Sequence, residues 1–473
     1  MKYIDENGVA KDIGNLKIAM FEMGDEQRTA SIPLKFNCLS SDFFSLGQSD
    51  YYYDNIKQIG DEIREEILTA LNDIAYNLSL YEKVSNLPVT KISLMREVSS
   101  YTLKNQFHRI ACGKARLTNY DIEYTYPKKE NQEEVKLDFK VIPDSLPPTN
   151  IHVIIGRNNV GKTYLIKNII KSAYRSDVTD NVGILRSSNN ETGRLVNSRK
   201  QAFANILCIS FSPFDDYSDV EEIVSKRRVM PFKYIGLSSE NLHQSIIDSF
   251  RQSLSSCLNS KYKIDMMNRA LNILETDPIF EKSNLKLFFE KKDYKNQKDE
   301  DDDVIAIFKK LSSGHQVIML TLVQLVDCIT ERSLVILDEP ENHLHPPLLS
   351  AFIRTLSDLL IDRNGAAIVA THSPVILQEV PKSCVWKINR SGMEVRADRL
   401  DIESFGATIG TLTREVFGLE VSQSGFHKIL IDEVLKGKEY QSIVNSFNNE
   451  LGDEAKMLLR TLILLRDKNE TLK

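Results

Sequence analysis

The residues Gly156-Arg157-Asn158-Asn159-Val160-Gly161-Lys162-Thr163 fit the pattern G-x-x-x-x-G-K-[ST], with the apolar run Ile151 to Ile155 before them and a helical pattern after. A nucleoside triphosphate crowds anionic oxygens into a small volume. Glycines at both ends of such a loop let its backbone N–H groups turn inward around them, and the helix that follows adds its positive end. Lys162 is expected to reach the β- and γ-phosphates and the Thr163 hydroxyl to hold Mg²⁺, with Arg157, Asn158, Asn159, Val160 and Tyr164 completing the cradle.

A second chemical element stands downstream, in Leu334-Val335-Ile336-Leu337-Asp338-Glu339-Pro340. An all-apolar run suits a strand at the centre of a parallel sheet covered on both faces. Strand alternation then sends the two terminal carboxylates to opposite sides. Asp338 is placed to orient Mg²⁺ and its waters, and Glu339 to polarise a water against the γ-phosphate.

Two further pieces complete a constellation. Ser312, Ser313 and Gly314 precede a helical run and form a second phosphate-binding surface, one without a lysine. One subunit has no use for two such surfaces on one triphosphate, whereas two subunits facing head to tail do. The strand Ala366 to Thr371 ends in His372, which can sense or stabilise the γ-phosphate.

In this order, the four motifs resemble an ABC-type ATPase of the chromosome-maintenance and repair branch. The continuation Glu341-Asn342-His343-Leu344-His345-Pro346 is similar to its soluble, OLD-like subset. The resemblance implies α/β architecture: a P-loop ABC-type ATPase head with an antiparallel β subdomain, a helical lid insertion and an α-rich C-terminal extension. It also implies ATP and Mg²⁺ as ligands and an ATP-sandwiched homodimer. It makes Glu339 the catalytic base, His372 the switch residue, Ser312-Ser313-Gly314 the signature and Leu344-His345 the loop touching the second copy. His315 stands where many signatures have glutamine or glutamate. Where a glutamine loop should follow the strand Ile206 to Phe211, the chain has Ser212-Pro213-Phe214-Asp215-Asp216.

The flanking sequence supplies the elements that must position these groups. Residues 1–110 form an N-terminal region, where Ile56, Ile59, Ile63, Ile67, Leu71, Ile74 and Leu78 recur at three- and four-residue steps and predict one long amphipathic helix. Residues 111–233 form the first part of the head, opening on a predicted hairpin (Thr118 to Tyr126, Val135 to Val141) with a polar turn at 127–131. Phe107, His108, Arg109 and Arg116 are candidates for the adenine contact. Residues 234–310 read as a helical lid, and 291–303 as an exposed, mobile loop. Residues 225–234 interleave basic and aromatic side chains, as a solvated turn or a nucleic-acid contact would. Residues 311–385 form the second part of the head. Residues 386–473 form the extension, with an edge pair of strands (Cys384 to Ile388, Met393 to Ala397) and a partner-binding role expected.

Composition narrows the class. The chain has 473 residues, 42% of them hydrophobic and 27% charged, with a formal net charge of −6 that does not advertise nucleic-acid binding. No apolar run approaches a membrane span, and residues 1–6 lack the apolar core of a signal peptide. The six cysteines are scattered without C-x-x-C spacing, which predicts reduced thiols in a cytoplasmic protein.

Glu403-Ser404-Phe405-Gly406, Phe417-Gly418-Leu419 and Ser424-Gly425-Phe426-His427 resemble the PtuA ATPases of Septu-type and retron-associated bacterial defence systems. That resemblance implies assembly beyond a dimer with a separate HNH nuclease, PtuB-like, that attacks DNA. Residues 375–473 hold no D-x-D pair and only one histidine, so any nuclease must be another chain. The alternative is a DNA-clamping repair ATPase of the recombination-mediator kind without a nuclease; a transporter subunit is a distant third.

Overall fold

A computed structural model describes all residues except 24–29, 101, 128–133, 175–181, 189–194, 198–202, 211, 213–215, 228–229, 237–241, 259, 292–300, 343, 393, 424 and 468–473. Its centre is a seven-stranded sheet. In chain order the strands are β1 (Ile151–Ile155), β2 (Asn205–Ser210), β3 (Phe232–Gly236), β4 (Ser333–Asp338), β5 (Ala366–Thr371), β6 (Val385–Ser391) and β7 (Glu394–Asp398). Their spatial order is β3-β2-β4-β5-β1-β6-β7, parallel throughout except for the antiparallel edge pair β6–β7.

Every residue of β1, β2, β4 and β5 is buried, because helices cover both faces. Parity decides the face. Val335, Leu337, Val369 and Val153 pack into a helical layer that includes α2 (Leu242–Leu258), α3 (Lys261–Leu274), α5 (Ser313–Cys328) and α6 (Pro346–Asp362). Leu334, Ile336, Ile368 and Ile154 pack against α1 (Lys162–Tyr174). Each aliphatic side chain so buried contributes about 1.5–3 kcal/mol, and that is why runs without a polar face form the sheet's centre.

The hairpin expectation holds: Tyr120–Thr125 pairs antiparallel with Lys136–Val141 and is joined by Ile184–Ser188 and Leu195–Asn197 into a four-stranded sheet beside the phosphate-loop helix. The edge pair also forms, as β6 and β7. Three expectations need correction. The stripe Ile56 to Leu78 is three helices, Asp50–Lys57, Asp61–Ala70 and Leu78–Val84. Gly60 at φ 137° and Asn72 at φ 50° leave the right-handed region and break it. The spacing continues across the breaks because all three helices pack on one core around Phe44, Tyr52 and Tyr53. Residues 234–236 belong to β3 rather than to a lid, because Tyr234 and Ile235 pair in register with Cys208 and Ile209. The mobile loop expected over 291–303 gives way at Asp301 to a helix, Asp301–Lys310, while 292–300 lie outside the described residues.

In the basic–aromatic stretch, Lys233 donates to Cys328 Sγ at 2.9 Å and Tyr234 stacks on Tyr217 at 5.0 Å. These two side chains therefore serve the sheet edge; Arg228 and Val229 lie outside the described residues. After β7 come Ile409–Gln423 and a small separate core formed by Gly425–Leu435, Tyr440–Ser446 and Asp453–Asp467. No described helix is long and apolar enough to cross a membrane.

Candidate functional site

Register places the site. Ile155 lies level with Thr371, and Asp338 with Ala370 and Ser210. The residues that follow, Gly156, Glu339 and His372, therefore emerge together at the carboxyl edge of the sheet, where an open α/β sheet offers a crevice.

The loop between β1 and α1 has no spare room at Gly156. A Cβ there would sit 2.5 Å from the Ile388 carbonyl and 3.0 Å from Val160 Cγ2. Asn159 and Gly161 adopt φ of 65° and 97°, which turns the backbone around a concavity. Arg157, Asn158, Asn159 and Tyr164 are exposed, Val160 is buried, and Thr163 is half-buried at the second position of α1. Lys162 is 5% exposed, and its ammonium donates to the carbonyls of Gly156 at 3.2 Å and Arg157 at 3.1 Å. Burial holds that ammonium below its ordinary range, against the opposing pull of Glu339, Glu341 and Asp338. A cation so short of solvent, facing an open loop, fits a polyphosphate.

Strand alternation ends at Asp338. Glu339 is left-handed, at φ 46°, with its amide fixed on the Ala370 carbonyl at 2.8 Å. Such a conformation costs on the order of 1–3 kcal/mol in a non-glycine residue. It swings Glu339 Oε1 to 3.9 Å from Lys162 Nζ and 3.8 Å from His372 Nδ1, too long for hydrogen bonds. Asp338 is fully buried, and its Oδ2 accepts from the Tyr217 hydroxyl at 2.9 Å. Glu341 Oε1 accepts from the Thr371 hydroxyl at 2.6 Å and the His372 amide at 2.7 Å, and lies 3.1 Å from His372 Nδ1. Glu341 is thus committed to holding the end of β5. Glu339 is the carboxylate with reach, and so the better candidate base.

Among the described residues, no group of three or more His, Cys, Asp or Glu is arranged to hold a metal. Mg²⁺ in phosphate sites takes one or two protein ligands and completes its shell with phosphate and water. Thr163 and Asp338 are the donor types for that arrangement.

Ser312, Ser313 and Gly314 stand apart from this cluster, at the start of α5. Ser312 is the N-cap, yet its hydroxyl does not bond the helix amides. Instead it meets His315 Nδ1 at 2.6 Å. His345, in the loop after the acidic strand, reaches toward the same place: its Nε2 lies 3.3 Å from Asp277 Oδ2.

Sequence reasoning missed four neighbours. Tyr217 occupies the region where a glutamine loop would stand; its only signal was an aromatic, in company with Phe214, in an otherwise polar loop after a buried strand. Glu341 carried none beyond its place after the acidic pair. Arg390 stands beside the phosphate loop, its Nη1 3.8 Å from a Cβ built at Gly161, and Tyr164 and Arg390 act in opposite senses on the buried Tyr126 hydroxyl. The four adenine candidates are engaged elsewhere. Phe107 packs on Tyr53 at 5.1 Å, and His108 Nδ1 meets the Ala75 carbonyl at 2.7 Å. Arg109 bonds the carbonyls of Ala115 and Ile361, and Arg116 pairs with Asp50 at 2.8 Å. At that opposite edge a cleft of about 270 Å³ opens between Thr149, Asn150, Leu360 and Gly365. It lies away from Lys162 and holds none of the motif residues.

With this geometry established, comparison places the chain among known proteins. It is 37% identical over 489 residues to protein ea59 of Escherichia phage lambda, covering 98% of this chain and 92% of that protein. The chain belongs to the ea59 family. Within this ea59-family chain, residues 194–378 match the family described as "AAA domain, putative AbiEii toxin, Type IV TA system". The match takes in the signature turn, the acidic strand and His372, and begins after the phosphate loop. Among solved structures, the chain is similar to an SMC head domain from Thermotoga maritima, at 14% identity and a TM-score of 0.29 over 60% of this chain and 100% of that one. It is also similar to a nucleotide-free ATP-binding cassette from an ABC transporter, at 14% identity and a TM-score of 0.25 over 55% and 85% of the two chains. The fold assignment rests on sheet order and loop geometry rather than on these scores: this ea59-family chain has the P-loop ATPase fold.

Proposed function

We propose that this chain binds and hydrolyses ATP, and that two copies close head to tail around the nucleotide. The observation that carries the reading is the convergence of Lys162, Glu339 and His372 at one sheet edge, with Glu339 Oε1 held 3.9 Å from the ammonium and 3.8 Å from the imidazole. A γ-phosphate bound to Lys162 would lie between these groups, and Glu339 would take the proton of a water attacking it. His372 would orient that phosphate. Mg²⁺ held by Thr163 and, through water, by Asp338 would neutralise charge on the β- and γ-oxygens. The Ser312-Ser313-Gly314 turn, with its two serines exposed, would close on the triphosphate of the second copy, with His345 beside it.

In the finer reading the closed assembly, a dimer or larger, controls a separate HNH nuclease acting on DNA in anti-phage defence, as the PtuA resemblance implies. Support comes from the family match, whose description names a toxin of a toxin–antitoxin system.

The test is Glu339→Gln. Binding should persist while hydrolysis falls about 100-fold or more, and MgATP should convert the variant to a stable dimer or larger species in size-exclusion chromatography with light scattering. A variant that hydrolyses ATP at the parent rate would overturn the catalytic assignment. Affinity purification from the native host tests the finer reading: a co-purifying nuclease whose activity differs between parent and variant is expected. Recovery of this chain alone would remove the nuclease from the proposal.

A further inference from the structure

The signature turn is wired to the interior by groups that neither ATP binding nor hydrolysis explains. Ser312 Oγ meets His315 Nδ1 at 2.6 Å, and His315 Nε2 meets Asp277 Oδ1 at 3.0 Å. His315 is 3% exposed and Asp277 8% exposed, so solvent does not satisfy either. Asp277 caps the helix α4 (Pro278–Ser283) by accepting from the Ile279 amide at 2.8 Å. Its second oxygen faces His345 Nε2 at 3.3 Å. Phe280 tilts against the His315 ring at 5.1 Å. The His345 ring also lies against that of His315, at 6.1 Å between centroids, so among the described residues the titratable groups shown against His315 are Asp277 and His345.

Hydrogen-bond polarity along this chain has a consequence for Ser312. Burial raises the Asp277 carboxyl, but hydrogen bonds from His315 and the Ile279 amide outweigh it and hold the group below its ordinary range. A carboxylate only accepts, so His315 Nε2 carries a hydrogen. With that hydrogen alone on the ring, Nδ1 accepts. The Ser312 O–H then points inward, and its lone pairs face the surface where a phosphate would dock. With a second hydrogen on Nδ1 the bond reverses: Nδ1–H donates to Oγ, and the Ser312 O–H is released to donate outward to an anionic oxygen.

We infer that Asp277 and His315 are positioning residues for Ser312, and that docking of this turn on a phosphate of a second copy's nucleotide takes up one proton at His315. The inference rests on the reading that ATP bridges two copies. The sign follows from linkage. His315 binds its proton more tightly in the assembled form, so the added stability is complete at the acid end and is lost as pH rises through the assembled-state value.

The experiment is isothermal titration of MgATP into the Glu339→Gln protein, in two buffers of equal pH and different ionisation enthalpy, with assembly followed by light scattering. The expected result is uptake of up to about one proton per ATP-bound subunit, with assembly weakening by up to about tenfold per pH unit. Adding His315→Gln or the surface change Ser312→Ala should abolish the uptake and flatten that dependence. Uptake that survives His315→Gln and Ser312→Ala, that disappears only with His345→Gln, or that is absent from the starting protein overturns the relay. If the Glu339→Gln protein binds ATP without assembling, the bridging reading itself falls, and the relay with it. Assembly without His315-dependent uptake leaves the bridging reading standing and sinks the relay alone.

Discussion

Glu341 is tied to the backbone of His372: its Oε1 accepts the His372 amide at 2.7 Å while also accepting the Thr371 hydroxyl at 2.6 Å. The turn after the acidic strand thereby fixes the end of the neighbouring strand, and with it the histidine that faces Glu339. Glu341→Ala would leave a buried amide and hydroxyl without that acceptor, at a cost of about 1–3 kcal/mol. The expected outcome is a urea midpoint lowered accordingly and an ATP turnover reduced more than ATP affinity. Equal losses in kcat and affinity would show that Glu341 only supports the fold.

Lys162→Met tests the phosphate loop. At free MgATP about 100-fold above Kd, binding to the native state stabilises by about 2.7 kcal/mol. Differential scanning fluorimetry should show that gain in the parent and almost none in the variant. The loop keeps its packing, since Gly156 sits close against the Ile388 carbonyl and the Val160 side chain. A variant with the parent's nucleotide-dependent shift would remove Lys162 from the site.

Tyr217 is the predicted support of Asp338, the carboxylate proposed to act on Mg²⁺, because its hydroxyl donates to Asp338 Oδ2 at 2.9 Å. Groups that orient a ligand in this way typically change metal affinity about 10–100-fold when removed. Tyr217→Phe should therefore raise the Mg²⁺ concentration giving half-maximal ATPase activity by about tenfold, with smaller effect at saturating Mg²⁺. An unchanged Mg²⁺ requirement would reduce the contact to packing.

The N-terminal region carries a pH-dependent term. Asp73 is buried beside Tyr53, whose hydroxyl donates to it at 3.0 Å, and burial pushes its carboxyl up to about 6 although hydrogen bonds from Tyr76, Tyr53 and Ala75 pull the other way. A folded-state value raised above the unfolded one gives stability that is fully present below the unfolded value, near pH 4, and lost as pH rises through about 6. The size is on the order of 3 kcal/mol. Denaturant unfolding of the parent minus that of Asp73→Asn should trace this loss between about pH 4 and about pH 7. A flat difference curve would mean that the carboxylate is ionised throughout.

The local chemistry was legible in the chain. Ile151 to Ile155 before Gly156, apolar but for His152, and Leu334 to Leu337 before Asp338 show no alternation of polar and apolar faces, which suits the middle of a covered parallel sheet. Gly156 and Gly161 mark a loop that needs backbone room, and α1 follows them as its pattern predicts. The strands flanking 127–131 and the edge pair β6–β7 were likewise read from alternation and turn residues. The stripe from Ile56 to Leu78 misled because periodicity records which side faces a core and not whether the backbone is continuous. Gly60 and Asn72 interrupt the helix without disturbing that side.

Tertiary structure decided what the motifs face. Strand order β4-β5-β1 and the pairing of Asp338 with Ala370, and of Thr371 with Ile155, bring Glu339, His372 and Lys162 to one edge from positions far apart in the chain. No periodicity encodes which strand lies next to which. The left-handed turn at Glu339, the commitment of Glu341 to Thr371 and the link from Ser312 through His315 to Asp277 depend on contacts between distant segments. The sequence alone determined that a phosphate loop, an acidic strand, a serine-glycine turn and a histidine-terminated strand exist, because each is a local pattern of size, polarity and backbone freedom. Which carboxylate is held and which can reach, and what stands behind the signature serine, came only with packing, which sets the distances on which hydrogen bonds and charge interactions depend.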